Sequence, residues 1–367
     1  MERDPKISAG RRPKLFAALR VLLAAGIGLF ICQLNLDYIE SLFYDIRVRT
    51  RPAPQTSGKI ALINIDTKTQ ERLKRQPEAL DIAFFLRQLA ESKPAQIIYS
   101  QDFSEIIGSF DELEDLAAVA TKIPFVVVED HKLPEVGLEE EFRLLPPLQN
   151  ISVISGPKTD DSNTFARDGV TRRMILTFEN SPLLHMKIAS SINNKMTAND
   201  YRGSFDFKRT SQAYINFHPS GFYDTYSYID IIDGKIASEN FKDKIIIIGR
   251  DTHSDRKDYI QTPYSRDILA MSRTELHANM IDTLLMNDAP LKLPEWFNVI
   301  LTMFIAILTV LVVLRERPAR GFLILAFMLV GFSATAILLF SIAGIWIDVA
   351  HPFLSLFICY YFFIPYR

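Results

Sequence analysis

Apolar residues fall into four long runs, one near the start of the chain and three near its end, with a polar stretch of short apolar bursts between them. A helix needs roughly 20 apolar residues to cross the hydrocarbon core of a bilayer. The runs at 15–34, 297–314, 321–344 and 349–365 approach that length and predict four transmembrane helices. Residues 1–14 then form a short leading segment, and 35–295 form the single large polar domain.

Within that domain the bursts are continuous rather than alternating. "KIALINID" (Lys59 to Asp66), "AQIIYS", "PFVVVED" and "DKIIIIG" read as strands buried on both faces, which is the pattern of a parallel sheet covered by helices. "ISVISG", "GVTRRMILTF" and "AYINF" read as further strands. Helical spacing aligns Ile82, Phe85, Leu86 and Leu89; Phe110, Leu113, Ala117 and Ala120; Leu184, Ile188 and Ile192; and Leu276, Met280 and Leu284. Thr67 with Gln70, Ser109 with Glu112, and Ser272 with Glu275 carry the spacing of a capping box at helix starts. Residues 131–147 read as an irregular loop. The predicted class is α/β: a mainly parallel sheet with flanking helices, plus four transmembrane helices.

Charge sets the orientation. The chain of 367 residues is nearly neutral, with a net charge of -2. Arg3, Lys6, Arg11, Arg12 and Lys14 precede the first run, Arg315, Arg317 and Arg320 separate the second from the third, and Arg367 follows the fourth. Basic residues flanking spans stay in the cytoplasm, so both termini are expected there and 35–295 outside, in a multi-pass membrane protein. Trp296 and Trp346 are expected at the outer interface. The first run is expected to be an uncleaved anchor, since no small-x-small site follows it. Cys32 and Cys359 both lie in predicted spans, so no disulfide is expected in the outer domain. Ionisable groups are nearly absent from the spans, which argues against a transporter or channel. No basic surface interleaved with aromatics points to nucleic acid.

Candidate chemistry sits where strands end. In a parallel sheet, Asp66, Ser100 to Asp102, Glu129 to His131, and Arg250, Asp251, His253, Asp255 and Asp258 share the edge where ligands bind. The same residues are ordinary turn and cap formers. A cation site built from Asp66, Asp102, Asp258 and His253 is the sharper alternative, although no spacing matches a ligand motif. His277 shares a helical face with Ile281 and Leu284 and reads as a core histidine rather than a ligand. G-x-S-x-G, G-x-x-x-x-G-K-[ST] and G-x-G-x-x-G are all absent from the sequence. No catalytic residue, cofactor or resident metal is expected.

Several motifs in order resemble the bacterial CHASE2 receptors: "LFYDIRVRTRP" before "IALINID", "DGVTRRM" (Asp168 to Met174), "FKDKIIIIG" (Phe241 to Gly249), "DYIQTP" (Asp258 to Pro263), "ELHANMIDTLL" and "GIWIDVAHP". The chain departs at "YSQDFSE", where the family's Asp after the second strand is displaced to Asp102 or lost, and at "MSRT", where Pro-Gly is usual. The resemblance implies an extracytoplasmic sensor that is not an enzyme, relaying to a histidine kinase of a two-component system, an adenylate cyclase or another cytoplasmic output. That output is fused in a longer chain or supplied by a partner. The expected ligand-binding residues are Asp66, Arg172, Arg173, Asp258 and His277 from these motifs, with Asp102 from the strand edge. Expected partners are the lipid bilayer and an unidentified extracytoplasmic ligand or protein. A second copy of the chain is a further one, because Gly331, Ser333, Ala334, Ala336, Ser341 and Ala343 permit close helix approach. A membrane-anchored enzyme and an envelope scaffold are the alternative readings.

Overall fold

The computed structural model describes residues 12–129, 144–156, 166–195, 197–252, 256–267 and 269–366. Most of the loop expected at 131–147 lies outside them. The chain divides into two compact units: one made from its two ends, through Arg51 and from Leu291 onward, and the other from Pro52–Pro290. The first helices of the chain, α1 (Arg12–Ile31) and α2 (Asp37–Thr50), belong to the former.

The Pro52–Pro290 unit is built on a six-stranded sheet. Its strands, numbered along the whole chain, are β1 (Ile60–Asp66), β2 (Gln96–Tyr99), β3 (Phe125–Glu129), β4 (Ser152–Ser155), β9 (Asp224–Ser227) and β10 (Ile245–Asp251). The spatial order is β4-β3-β2-β10-β1-β9, and every neighbouring pair is parallel. The continuous apolar runs have their expected cause. Along β1, Ala61, Ile63 and Ile65 enter a core shared with α4 (Ala79–Glu91) and α5 (Phe110–Ala120). Ile60 and Leu62 enter a second core with α6 (Leu184–Asn193) and α8 (Arg273–Met286) on the opposite face. Each fully buried side chain of this size contributes about 1.5–3 kcal/mol.

Two further short helices, α3 (Thr67–Leu73) and α7 (Tyr228–Ile232), follow β1 and β9. "GVTRRMILTF" and "AYINF" do not join the parallel sheet. β5 (Arg173–Phe178), β6 (Ser181–Pro182), β7 (Phe205–Phe207) and β8 (Thr210–Tyr214) form a separate antiparallel sheet in the order β6-β5-β8-β7. Short connections make β5–β6 and β7–β8 hairpins, which pair antiparallel, and β8 returns to pair with β5 after the intervening helix α6. A small antiparallel pair, β11 (Tyr259–Ile260) with β12 (Met271–Ser272), leads into α8.

In the other unit, β13 (Leu291–Lys292) precedes α9 (Glu295–Arg315) and α10 (Pro318–Ala343), and β14 (Ile345–Trp346) precedes α11 (Ala350–Phe363). Ala24 of α1, Ala306, Val310 and Val313 of α9, Leu325 of α10, and Leu356 and Cys359 of α11 share one core. The four expected spans require correction. Among the described residues only α9 and α10 are long and apolar enough to cross a membrane. The apolar parts of the other two, Ala18–Ile31 and Ala350–Phe363, are shorter. Helix α11 has 14 residues, about 21 Å at 1.5 Å each, against a core of about 30 Å. Trp346 also departs from expectation: it is fully buried, whereas Trp296 is 65% exposed.

Trp346 is buried because it belongs to a polar node. Glu40 of α2, only 3% exposed, accepts hydrogen bonds from Trp346 Nε1 (2.7 Å), Arg47 Nη2 (3.2 Å), and the Val349 and Ala350 amides (2.7 and 2.9 Å). The last two are orphan donors at the start of α11, so a carboxylate there also opposes the helix dipole. Beside it, Asp348 accepts from Asn298 Nδ2 (2.8 Å) and faces Lys292 Nζ (3.4 Å). β13 pairs with β14 directly.

Candidate functional site

The C-terminal ends of β1 and β10 lie in register, with Asp66 opposite Asp251, and the polar residues there are paired with one another. Asn64 Nδ2 donates to Asp251 (2.7 Å), and the Tyr259 hydroxyl donates to the other Asp251 oxygen. Burial first, and then Asp251, push the Tyr259 phenol above its ordinary range. Arg250 grips Asp258 through Nε (2.7 Å) and Nη2 (3.2 Å), a bidentate charge-assisted pair. Gly249 is required by packing: a Cβ there would stand 2.3 Å from Thr274 Oγ1 and 2.6 Å from Ser100 Oγ.

The segment after Asp258 reaches a second cluster. Val170 bridges Gln261, and the Thr171 amide donates to the Gln261 carbonyl (2.9 Å). Gly169 takes φ +80, and a Cβ there would meet Gln261 Oε1 at 2.6 Å, so the Asp-Gly turn serves both conformation and close approach. Asp168 then receives both Arg172 (3.0 and 2.8 Å) and Arg266 (2.9 Å). Burial acts to raise the Asp168 carboxyl. The hydrogen bonds and charge of Arg172, the Val170 amide and Arg266 outweigh it and hold the group below its ordinary value. Arg172 is fully buried. Arg173 points elsewhere, with its guanidinium 5.4 Å over the Phe207 ring.

Helix α8 forms a third constellation. Glu275, Asn279 and Thr283 lie four residues apart and so share one stripe. The stripe accepts three amides from one extended segment: Gly221 N to Glu275, His218 N to Asn279 (2.6 Å) and Asn216 N to Thr283 (3.0 Å). The Glu and Asn of the E-x-H-A-N pattern therefore clamp backbone. The His does something different. His277 Nδ1 lies 2.8 Å from Nε2 of His185 on α6, with the rings stacked at 5.1 Å. Burial first, and then His277, hold His185 well below its ordinary value.

The sequence-predicted residues thus separate. Asp258 and Arg172 lie in linked clusters, Arg173 and His277 lie in other contacts, and Asp66 and Asp102 serve local turns. Asp66 caps α3, accepting from the Thr69 amide and hydroxyl (2.8 and 2.7 Å). Asp102 accepts from the Ser104 amide (2.9 Å) in an exposed turn. The cation set is not assembled: among the described residues no group of three or more His, Cys, Asp or Glu is placed to hold a metal ion, and His253 and Asp255 lie outside them. Sequence reading passed over Asp168, Arg266, Tyr259 and Asn279. Asp168, Tyr259 and Asn279 stood inside recognised motifs, while Arg266 carried no local signal.

No curated protein and no solved structure matches the chain. The CHASE2 domain model matches residues 19–314, from within α1 to the last turn of α9. CHASE2 domains are extracytoplasmic sensor domains of signalling receptors. The match takes in the Asp-Gly-x-x-Arg-Arg turn, the β10 edge and the α8 clamp together, over more than half of the sequence, and the chain belongs to the CHASE2 domain family.

Proposed function

We propose that this chain is the sensor and membrane part of a bacterial receptor. The Pro52–Pro290 unit binds an extracytoplasmic ligand or protein, and the helices relay that event to a cytoplasmic kinase or nucleotide cyclase. The output is fused in a longer chain or carried by a membrane partner. The observation that supports this reading most is the chain's layout: a domain of a sensor family enters and leaves through the helical unit, by α2 on one side and β13 on the other. A ligand that favours one arrangement of the domain acts on both connections at once, and only its differential affinity for the two arrangements shifts their populations. Arg315, Arg317 and Arg320 at the junction of α9 and α10 support a cytoplasmic position for that link, and hence an outer position for residues 52–290.

Topology fusions test the placement. Alkaline phosphatase inserted in the surface turn at Gly234 should be active in intact cells, and a fusion in the 315–320 link should not. The reverse pattern overturns the reading. An immunoblot of the native protein, with co-purification of its membrane partners, tests the output: a fused or associated kinase or cyclase is expected, and neither being found overturns the relay.

A further inference from the structure

Leu80 and Phe84 sit on the outward face of α4, 54% and 47% exposed, and Ile107 and Phe110 beside them are 68% and 62% exposed. The four form one patch. The Ala79 amide donates to the Ile107 carbonyl (2.9 Å), and a Cβ on Gly108 would touch Ala79 Cβ at 2.6 Å. This places the start of α5 against the start of α4. Exposed apolar patches on the order of a few hundred Å² mark places where proteins meet partners.

The rim is acidic. Glu105, Asp111 and Glu114 are exposed and have no ion-pair partner among the described residues. Glu78 and Asp81 share one cation, Arg75, and Asp115 is matched by Arg87. Two guanidinium groups therefore face six carboxylates before the Glu112 cap is counted. A second copy docked through the same patch sets this rim against itself, and an anionic lipid surface meets the same repulsion. Like charges juxtaposed at an interface cost several kcal/mol.

We infer that the patch formed by Leu80, Phe84, Ile107 and Phe110 is a docking surface for a cationic amphipathic peptide segment. The apolar face of that segment would cover the four side chains, and its Lys or Arg residues would meet Glu105, Asp111 and Glu114. The inference rests on the sensor reading above and names the ligand class for it.

The test uses the full chain in nanodiscs of zwitterionic lipid and a fluorescent Leu/Lys helical peptide of about 15 residues, followed by anisotropy. Saturable binding is expected, weaker at high salt. It should fall about tenfold or more in Phe84→Ser and in the doubly reversed Asp111→Lys/Glu114→Lys; a tenfold fall corresponds to about 1.4 kcal/mol. All three positions are exposed, so the variants should stay folded with a melting temperature close to wild type, lowered slightly in the double reversal because Asp111 lies in the first turn of α5. No binding, or binding that both variants leave unchanged, overturns the inference. So does a wild-type dimer that Phe84→Ser dissociates, which would assign the patch to a second copy. A correct topology with failed peptide binding refutes the docking surface alone, whereas reversed topology refutes the sensor reading.

Discussion

Replacing Glu40 with alanine removes the acceptor on which four donors converge. Arg47 and Glu40 are 2% and 3% exposed, and Arg47 Nη1 already has no hydrogen-bond partner among the described residues. Breaking a buried pair by deleting one member costs about 3–5 kcal/mol, because the remaining charge is left in a medium that does not solvate it. The Trp346 indole and two amides of α11 lose their acceptor in the same step, and each buried orphan donor costs about 1–3 kcal/mol. Rehydration of the helix start offsets part of this, so a total loss of about 4–6 kcal/mol is expected. Glu40→Gln keeps an oxygen but loses the charge and turns an NH2 toward donors, so about half that loss is expected. Trp346 reports the event. It is buried, while Trp296 is exposed, so in a Trp296→Phe background the fluorescence comes from the node alone. Denaturant titration in detergent should show a lower midpoint for Glu40→Ala and red-shifted emission before the main transition. Stability within about 1 kcal/mol of wild type, with unshifted emission, would refute the claim that the carboxylate holds α2 to α11.

Asp168→Ala should cost about 3–5 kcal/mol, because it removes the carboxylate that pairs with the buried Arg172, while Arg266→Ala should cost under about 1 kcal/mol, since that side chain is 34% exposed; chemical denaturation of the two variants separates them. Gly249→Ala should destabilise by about 1–3 kcal/mol through the clash with Thr274 and Ser100, and adding Thr274→Ser should not rescue it, because the hydroxyl remains; recovery, read by melting temperature, is expected only when both hydroxyls are removed, in Thr274→Ala/Ser100→Ala. His185, whose folded value is depressed, contributes stability that is full above its ordinary value of 6.5 and is lost as pH falls below it, because the unfolded chain takes up the proton first. Denaturant midpoints measured from neutral to mildly acidic pH should fall for wild type and fall less for His185→Phe; equal slopes refute the role of the histidine pair.

The apolar strands β1, β2, β3 and β10 were legible because burial on both faces leaves a near-continuous apolar run in place of alternation. Helix α5 was legible down to its cap: Ser109 and Glu112 satisfy each other's amides. The other two caps show where local pattern gives way. Asp66, one residue earlier than Thr67, caps α3, since its carboxylate reaches both the amide and the hydroxyl of Thr69. Ser272 caps α8 as expected, accepting from the Glu275 amide (3.2 Å), yet the Glu275 carboxylate does not reach back and is drawn to Ser220 and Gly221, partners more than fifty residues away in sequence. The clusters were hidden for the same reason. Arg266 meets Asp168 across 98 residues and Tyr259 meets Asp251 from the next short strand; spacing along a chain carries no record of such encounters. The separation of β5 and β8 into their own sheet was likewise a matter of pairing, which propensity does not encode.

The position of β10 bears on how the molecule is made. It is the last strand of the large sheet to be synthesised, yet it lies between β1 and β2, which precede it by well over a hundred residues. Neither of them can acquire its central neighbour until residue 251 has emerged. Pairings of such long range raise contact order and slow folding, and a growing chain that lacks them keeps apolar strand edges exposed. Until β10 arrives the large sheet can exist only as two separate parts, β1 with β9 and β2 with β3 and β4, so a single late strand closes it.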